Sequence, residues 1–458
     1  MEDRKFNRRD FLSIGALTVA GVALAGCAPE STATPEPAGE EQPTATTEAA
    51  QPAVEIDWWT IGGTEEFGTE EMVEEMLAEF EKSPAGSWVD VNPTFLPDDG
   101  FSEKMTTVIG TGSGVPDVAF LWDPGWLPRA TDLTEYIERD NFDIGIYNQL
   151  YFDMLSRYDD KIVGLPLGLG ANFYFYNKAL LEESGVAFPE WGYTMDQWLE
   201  DIKAIGDPDQ KIYGGRVPGL WSPNFYAFGA RPFSEDGTTV EGYLNGPKAV
   251  RAFEFMYDLA SSGAVPTSAE MEVLQTEGTG PVDLFMSGRL AFAQLNQGHF
   301  RLIDEAGVDY GLVHTPTVEG EDIIHNGWSL LVGIPAASEK KDAAWEWLKW
   351  YVGEPGQRFF MLYPGSTFIP SIPALLEDHP SADDERYKFF FRILNETYLI
   401  NLWKNQFSYI RQVERVCSDL YDKIYLGEID RDEIKGELDA LVPEAQQIVD
   451  EEREALGM

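Results

Sequence analysis

A chain of 458 residues with 79 acidic against 33 basic side chains carries a net charge of −46 at pH 7, a field that repels nucleic acid and anionic lipid headgroups. A generally acidic surface serving solubility accounts for that balance, although an acidic face would also attract cationic ligands. The 43% hydrophobic and 13% aromatic content is ample for burial, in a chain longer than a single hydrophobic core usually holds.

In chain order, Arg4, Lys5, Arg8 and Arg9 form a basic head, and Ile14 to Ala25 form a short apolar run. That run falls below the roughly 20 residues a membrane-spanning helix needs, which makes it an export signal. Leu24-Ala25-Gly26-Cys27 resembles a bacterial lipobox: small residues fit a peptidase groove, and the Cys27 thiol accepts a thioether-linked diacylglyceryl group. Asn7-Arg8-Arg9-Asp10-Phe11-Leu12 resembles a twin-arginine motif, so the twin-arginine and general export routes both stay open. Residues 1–26 read as signal, and 27–53 as a disordered Thr/Pro/Glu/Ala tether without side chains that offset the entropy of ordering. With Cys27 lipidated, Cys417 stands alone and the body has no internal disulfide.

The body opens on the alternating run Val54 to Thr60, predicted as a strand, followed by an amphipathic stretch from Glu65 to Phe80. Trp88 to Phe95 reads as a second strand, Phe101 to Ile109 as a helix stopped by Gly110, Gly112 and Gly114, and Asp117 to Leu121 as a third strand. Strands alternating with helices predict a parallel sheet, whose ligands bind beyond the carboxyl ends of the strands, here at Thr60–Glu65 and Trp122–Trp126. Gly164 to Gly170 and Tyr310 to Pro316 are predicted as extended crossings, since proline disfavours helix before it and glycine permits large backbone rotations.

No catalytic machine is visible. The four histidines, His299, His314, His325 and His379, make no His-Glu-x-x-His motif, and there is neither a Cys-x-x-Cys pair nor an aspartate-rich calcium loop, so no metal or cofactor is expected. Gly110-Thr111-Gly112-Ser113-Gly114 lacks the features of a nucleophile elbow or a phosphate loop. The acidic pairs Glu65-Glu66, Asp98-Asp99 and Asp159-Asp160 would suit glycoside hydrolysis, but 79 carboxylates produce such pairs by chance.

Four strings in order carry a family resemblance: GTGSGVPDVAFLW from Gly110, KIVGLPLGLGANFYFYNKALL from Lys161, FMSGRLAFAQLNQGHF from Phe285, and the segment from Asp309 to Val352 with Asn326-Gly327-Trp328. They resemble the extracellular solute-binding proteins of ABC importers, in the sugar-binding family that includes maltose-binding protein. The resemblance implies an α/β, two-lobed periplasmic-binding-protein fold of type II, with two sheets flanked by helices and a hinge between lobes. It places lobe one at 54–165 plus 315–364, lobe two at 172–310 plus 365–458, and the crossings at 166–171 and 311–314. It further implies a non-enzymatic, extracytoplasmic, lipid-anchored monomer that delivers a mono- or oligosaccharide to ABC permease subunits.

By position, the resemblance points to Thr64 and Glu65 in the first-strand turn, and to Asp123 with Trp122 or Trp126 after the third strand. It points also to Trp221, with Phe225 or Tyr226 as neighbours, and to Gly327 and Trp328. Indole faces stack on the C–H face of a pyranose, whereas Trp198, Trp345, Trp347 and Trp350 follow helical spacing and read as core. Gly298-His299-Phe300 stands where the family often has Gly-x-Trp; Asn296, Gln297 and His299 would bond hydroxyls, or His299 is a satisfied structural residue. Two alternatives stay open: a polyamine or other cationic solute, and a surface-anchored polysaccharide-acting enzyme.

Overall fold

In a computed structural model of the protein, the described residues are 53–61, 69–158, 160–218, 223–399 and 409–456. The signal, Cys27 and the tether as far as residue 52 lie outside them, as do Thr64, Glu65 and Trp221. Among the described residues no helix is long and apolar enough to cross a membrane.

β1 (Val54–Ile61) runs parallel to β2 (Val89–Leu96) and to β3 (Val118–Phe120), as the alternation of strands and helices requires. The helix Glu70–Phe80 between β1 and β2 starts at Thr69, whose hydroxyl accepts the Met72 N–H at 3.2 Å, and buries Met72, Val73, Met76 and Phe80. The helix Asp98–Thr111 ends at Gly112, whose φ of 65° is left-handed and costs glycine nothing.

Past the hairpin of β4 (Arg157–Tyr158) and β5 (Lys161–Ile162) come two long strands, β6 (Leu165–Asn177) and, after β7 (Phe292–Asn296) and β8 (Tyr310–Val313), β9 (Ile324–Gly333). With β10 (Tyr398–Leu399) they complete an eight-stranded sheet along the path β2-β1-β3-β9-β6-β7, with β8 on β6 and β10 on β9. The two expected sheets are therefore joined. β6 and β9 run antiparallel through both halves, with an irregularity between Pro166 and Leu169 where the pairing changes step.

Each half of the sheet has its own core. Ile56, Trp58, Phe120, Leu165, Leu331 and Val332 pack with the helices Lys341–Val352 and Glu354–Leu362, in which Trp345 and Trp347 are fully buried and Trp350 is half-buried. Trp58 and Trp347 meet with ring centroids 5.2 Å apart. In the other half, Tyr174 and Tyr176 pack on one face of β6 with Trp198, Phe253 and the C-terminal helices, and Phe173 and Phe175 pack on the opposite face with Phe300, Phe390 and Ile393.

Residues 166–171 lie in β6, between these cores. Residues 311–314 do not cross: β8 is a short strand on the outer part of β6, and Val313, Val318 and Ile324 all share the core of Tyr174. The chain returns along β9, which enters the first core at Leu331. Two further boundaries differ from the pattern expected from sequence. The helix Gln149–Leu155 straddles the two cores, Phe152 packing in the first while Tyr151 and Met154 pack with Phe173, and the first core continues past Leu362, through Phe360 and Met361, to Ile372 and Leu375.

Candidate functional site

Side chains alternate along a strand, so Gly170, Asn172 and Tyr174 of β6 share a face. Residues directly opposite in an antiparallel ladder also share a face. Gly170 is opposite Trp328, Asn172 is opposite Asn326 on β9 and Asn296 on β7, and Tyr174 is opposite Gln294. One face of the sheet thus carries an indole on bare backbone, a row of amides across β9, β6 and β7, and then Gln294 beside Tyr174. Trp328, Asn326, Asn172, Asn296 and Gln294 are all half-buried.

The glycines of β6 are seats for rings. A Cβ on Gly170 would lie 2.2 Å from Cε2 of Trp328, and one on Gly168 would lie 2.6 Å from Cε2 of Phe368. Phe368 belongs to a segment that runs beside β6, where the Leu169 N–H donates to the Ile369 carbonyl at 2.8 Å. Between this segment and the end of β7 lies a pocket of about 380 Å³, lined among others by Gly168, Asn296, His299, Trp328, Leu330 and Phe368. Among the described residues that line it, none is acidic.

Beyond β7 the chain turns sharply. The Asn296 Oδ1 accepts the Gly298 N–H at 2.9 Å and lies 3.1 Å from Nδ1 of His299. Burial lowers the His299 pKa, against a smaller upward pull from the Asn296 backbone, so the imidazole is neutral at pH 7. Nε2 of His299 makes no hydrogen bond among the described residues, and the Asn172 and Asn326 side chains make none either. Hydrogen-bonding capacity left open at half-buried positions is what a polyhydroxylated ligand fills.

A buried relay holds the strands from the other face. His325 of β9 has Nε2 3.2 Å from the Tyr151 hydroxyl and Nδ1 hydrogen-bonded to the Thr397 hydroxyl, which donates to the Ile393 carbonyl at 2.8 Å. Tyr151 Oη is also 3.3 Å from the carbonyl oxygen of Gly170. Burial drives the His325 pKa down to about 3, so the ring stays neutral and its two nitrogens divide donor and acceptor roles. His314 is likewise structural, accepting the Gly192 N–H at 2.7 Å through Nε2. Among the described residues no group of three His, Cys, Asp or Glu side chains is placed to hold a metal ion.

Of the residues expected from sequence, Asn296, Gln297, His299 and Trp328 come together in the pocket, and Gly327 lies beneath it in β9, opposite Ala171. Trp122, Asp123 and Trp126 form a separate group after β3. Asp123 accepts the Gly125 N–H at 2.8 Å and caps the following turn, and Trp122 is half-buried with its ring centroid 4.7 Å from that of Phe101. Trp126 is a core ring rather than a ligand-facing one: it is 3% exposed and its Nε1 donates to the Thr106 hydroxyl at 3.1 Å. Phe225 and Tyr226 are also core, each 2% exposed. Sequence reasoning missed Asn172, Asn326, Gln294 and Phe368. The signal for the first three was a polar residue at alternate positions inside strands that otherwise read as buried, as in Phe292-Ala293-Gln294-Leu295-Asn296.

The chain matches the family model for bacterial extracellular solute-binding proteins over residues 68–358. It is 23% identical over 331 residues to the maltotriose-binding protein of Pyrococcus abyssi, a match covering 68% of this chain and 66%, just under two thirds, of that protein. It is 26% identical over 323 residues to the sn-glycerol-3-phosphate-binding periplasmic protein UgpB of Rhizobium meliloti, covering 64% and 69%. Its fold is similar to that of an ABC substrate-binding protein of Listeria monocytogenes in complex with cycloalternan, with a TM-score of 0.69 at 21% identity over 85% of this chain and 98% of that one. Two half-sheets with separate cores, joined through β6 and β9, are the two lobes of a type II periplasmic binding protein. The chain belongs to the bacterial extracellular solute-binding protein family.

Proposed function

We propose that the protein captures a carbohydrate at the junction of its two half-sheets and delivers it to the transmembrane subunits of an ABC importer. The observation that carries this reading is the row Asn326–Asn172–Asn296, flanked by the Trp328 ring and the neutral His299. An indole offers a flat face to the C–H side of a sugar, and amides offer paired donors and acceptors to its hydroxyls. The solutes that name the relatives, maltotriose and sn-glycerol 3-phosphate, are both polyhydroxylated. A polyamine site would need carboxylates, and among the described residues that line the pocket there is none. Delivery to an importer as a solute-binding protein implies that the bound saccharide leaves unchanged.

A thermal-shift screen of mono- and oligosaccharides tests the reading, because a solute at 100 times its Kd stabilises the native state by about 2.7 kcal/mol. At least one saccharide raises the melting temperature, and Asn172→Ala reduces that rise. If no saccharide shifts the melting temperature, the carbohydrate reading is wrong.

The protein works outside the cytoplasm as a monomer, held to the membrane through lipid on Cys27. Cys27→Ser is expected to move it from the membrane fraction to the soluble extracytoplasmic fraction. Retention in the membrane with the signal cleaved would contradict the anchor.

A further inference from the structure

The stretch after residue 212 runs parallel to β7: the Ala291 N–H donates to the Tyr213 carbonyl at 2.9 Å, and the Phe292 N–H donates to the Gly214 carbonyl at 3.0 Å. Two residues past this pairing stands Arg216, whose charge acts on the hydroxyl of Tyr174, and Tyr174 is opposite Gln294 at the end of the amide row. Arg216 is half-buried, and its Nε is buried without a hydrogen-bond partner. The Nε2 of Gln294 is likewise buried and unpartnered.

The charges around Arg216 do not compensate it. Burial lowers its pKa, and the groups that act on its charge are the hydroxyls of Tyr425, Tyr421 and Tyr174, with no carboxylate among them. Each of those hydroxyls donates elsewhere: Tyr425 to the Pro266 carbonyl at 2.7 Å, Tyr421 to the Pro218 carbonyl at 3.2 Å, and Tyr174 to Asn224 Oδ1 at 3.1 Å. Among the described residues no carboxylate acts on this half-buried guanidinium, which makes it an uncompensated cost of folding in a chain with 79 carboxylates. Both unpartnered atoms are donors; Gln294 is opposite Tyr174 in the ladder, and the Arg216 charge acts on the Tyr174 hydroxyl.

We infer that Arg216, with Gln294, receives a negatively charged group carried by the solute, so that the carbohydrate is an acidic one: a uronate or a sugar or polyol phosphate. This rests on the carbohydrate reading and narrows it. Arginine presents several N–H donors in a plane to a carboxylate or phosphate, and the cost of burying it bare is recovered only in the complex.

Calorimetric titration of glucose, glucuronate, glucose 6-phosphate and glycerol 3-phosphate, with the oligosaccharides that score in the thermal screen and their uronate forms, tests the inference. At least one acidic member binds about tenfold or more tighter than its neutral counterpart, and which one distinguishes carboxylate from phosphate. Arg216→Met brings the two affinities together, while Arg216→Lys retains part of the preference. Because Arg216→Met also removes an unpaired buried charge, its unliganded melting temperature is equal to or above that of the parent. Neutral sugars binding as tightly as acidic ones would overturn the inference and leave the carbohydrate reading intact. So would a lower melting temperature in Arg216→Met together with equal losses for both classes, which is the mark of a structural arginine. Failure of the parent to bind any member, neutral or acidic, removes the carbohydrate reading and this inference with it.

Discussion

Trp328→Ala is expected to weaken the best saccharide by about 30-fold or more while costing the unliganded protein only about 1–2 kcal/mol, less than the 3–5 kcal/mol typical of a buried aromatic truncated to alanine. The ring is half-buried and rests on the bare backbone of Gly170, so only one of its faces contributes to folding. The other face is available for stacking on a sugar. Calorimetry of the variant gives the affinity, and urea unfolding gives the stability. A large stability loss with unchanged affinity would make Trp328 a core residue and remove it from the site.

Gly170→Val is expected to damage folding and binding together. Its Cβ would fall 2.2 Å from Cε2, 2.3 Å from Cζ2 and 2.7 Å from Nε1 of Trp328, so either the indole is expelled or the strand shifts. Overpacking of this kind costs about 1–3 kcal/mol, and a displaced indole forfeits its stacking contact as well. The two residues meet directly, so their effects are coupled: Gly170→Val with Trp328→Ala recovers part of the stability lost by Gly170→Val alone, and none of the binding. Denaturant midpoints of the single and double variants measure that coupling. Strict additivity would show that the indole does not occupy the space above Gly170.

Much of the fold was legible in local pattern. Trp58, Trp345 and Trp347 sit where alternation and helical spacing put them, fully enclosed in the core of the first half-sheet. Gly112 stops its helix in a left-handed turn, as a glycine after an amphipathic run suggests. Long-range pairing was not legible in the same way. The crossing back was placed at 311–314 because Tyr-Gly-Leu-Val-His-Thr-Pro has an extended character, but extended character does not say which strand accepts the pairing. β8 closes onto β6, and β9 makes the crossing.

The site divides along the same line. Trp328 was singled out by its place in the Asn-Gly-Trp string that carries the family resemblance, and Asn296 and His299 by lying at Gly298-His299-Phe300, where the family often has Gly-x-Trp. Asn172 and Asn326 are single amides in apolar strands, and their meaning depends on a register that sets them side by side with Asn296. Trp126 misled because an aromatic beside Gly125 and Pro124 looks like a loop residue. The turn capped by Asp123 in fact folds the ring inward, where its N–H reaches Thr106.

The proposed site puts the solute across the amide row. A crystal structure of the protein with the saccharide that scores highest in the thermal screen tests it most directly. Sugar oxygens are expected within hydrogen-bonding distance of the side-chain amides of Asn172, Asn296 and Asn326, with a sugar ring face on the Trp328 indole. A saccharide bound elsewhere, with those three amides and that indole facing only water, would contradict it.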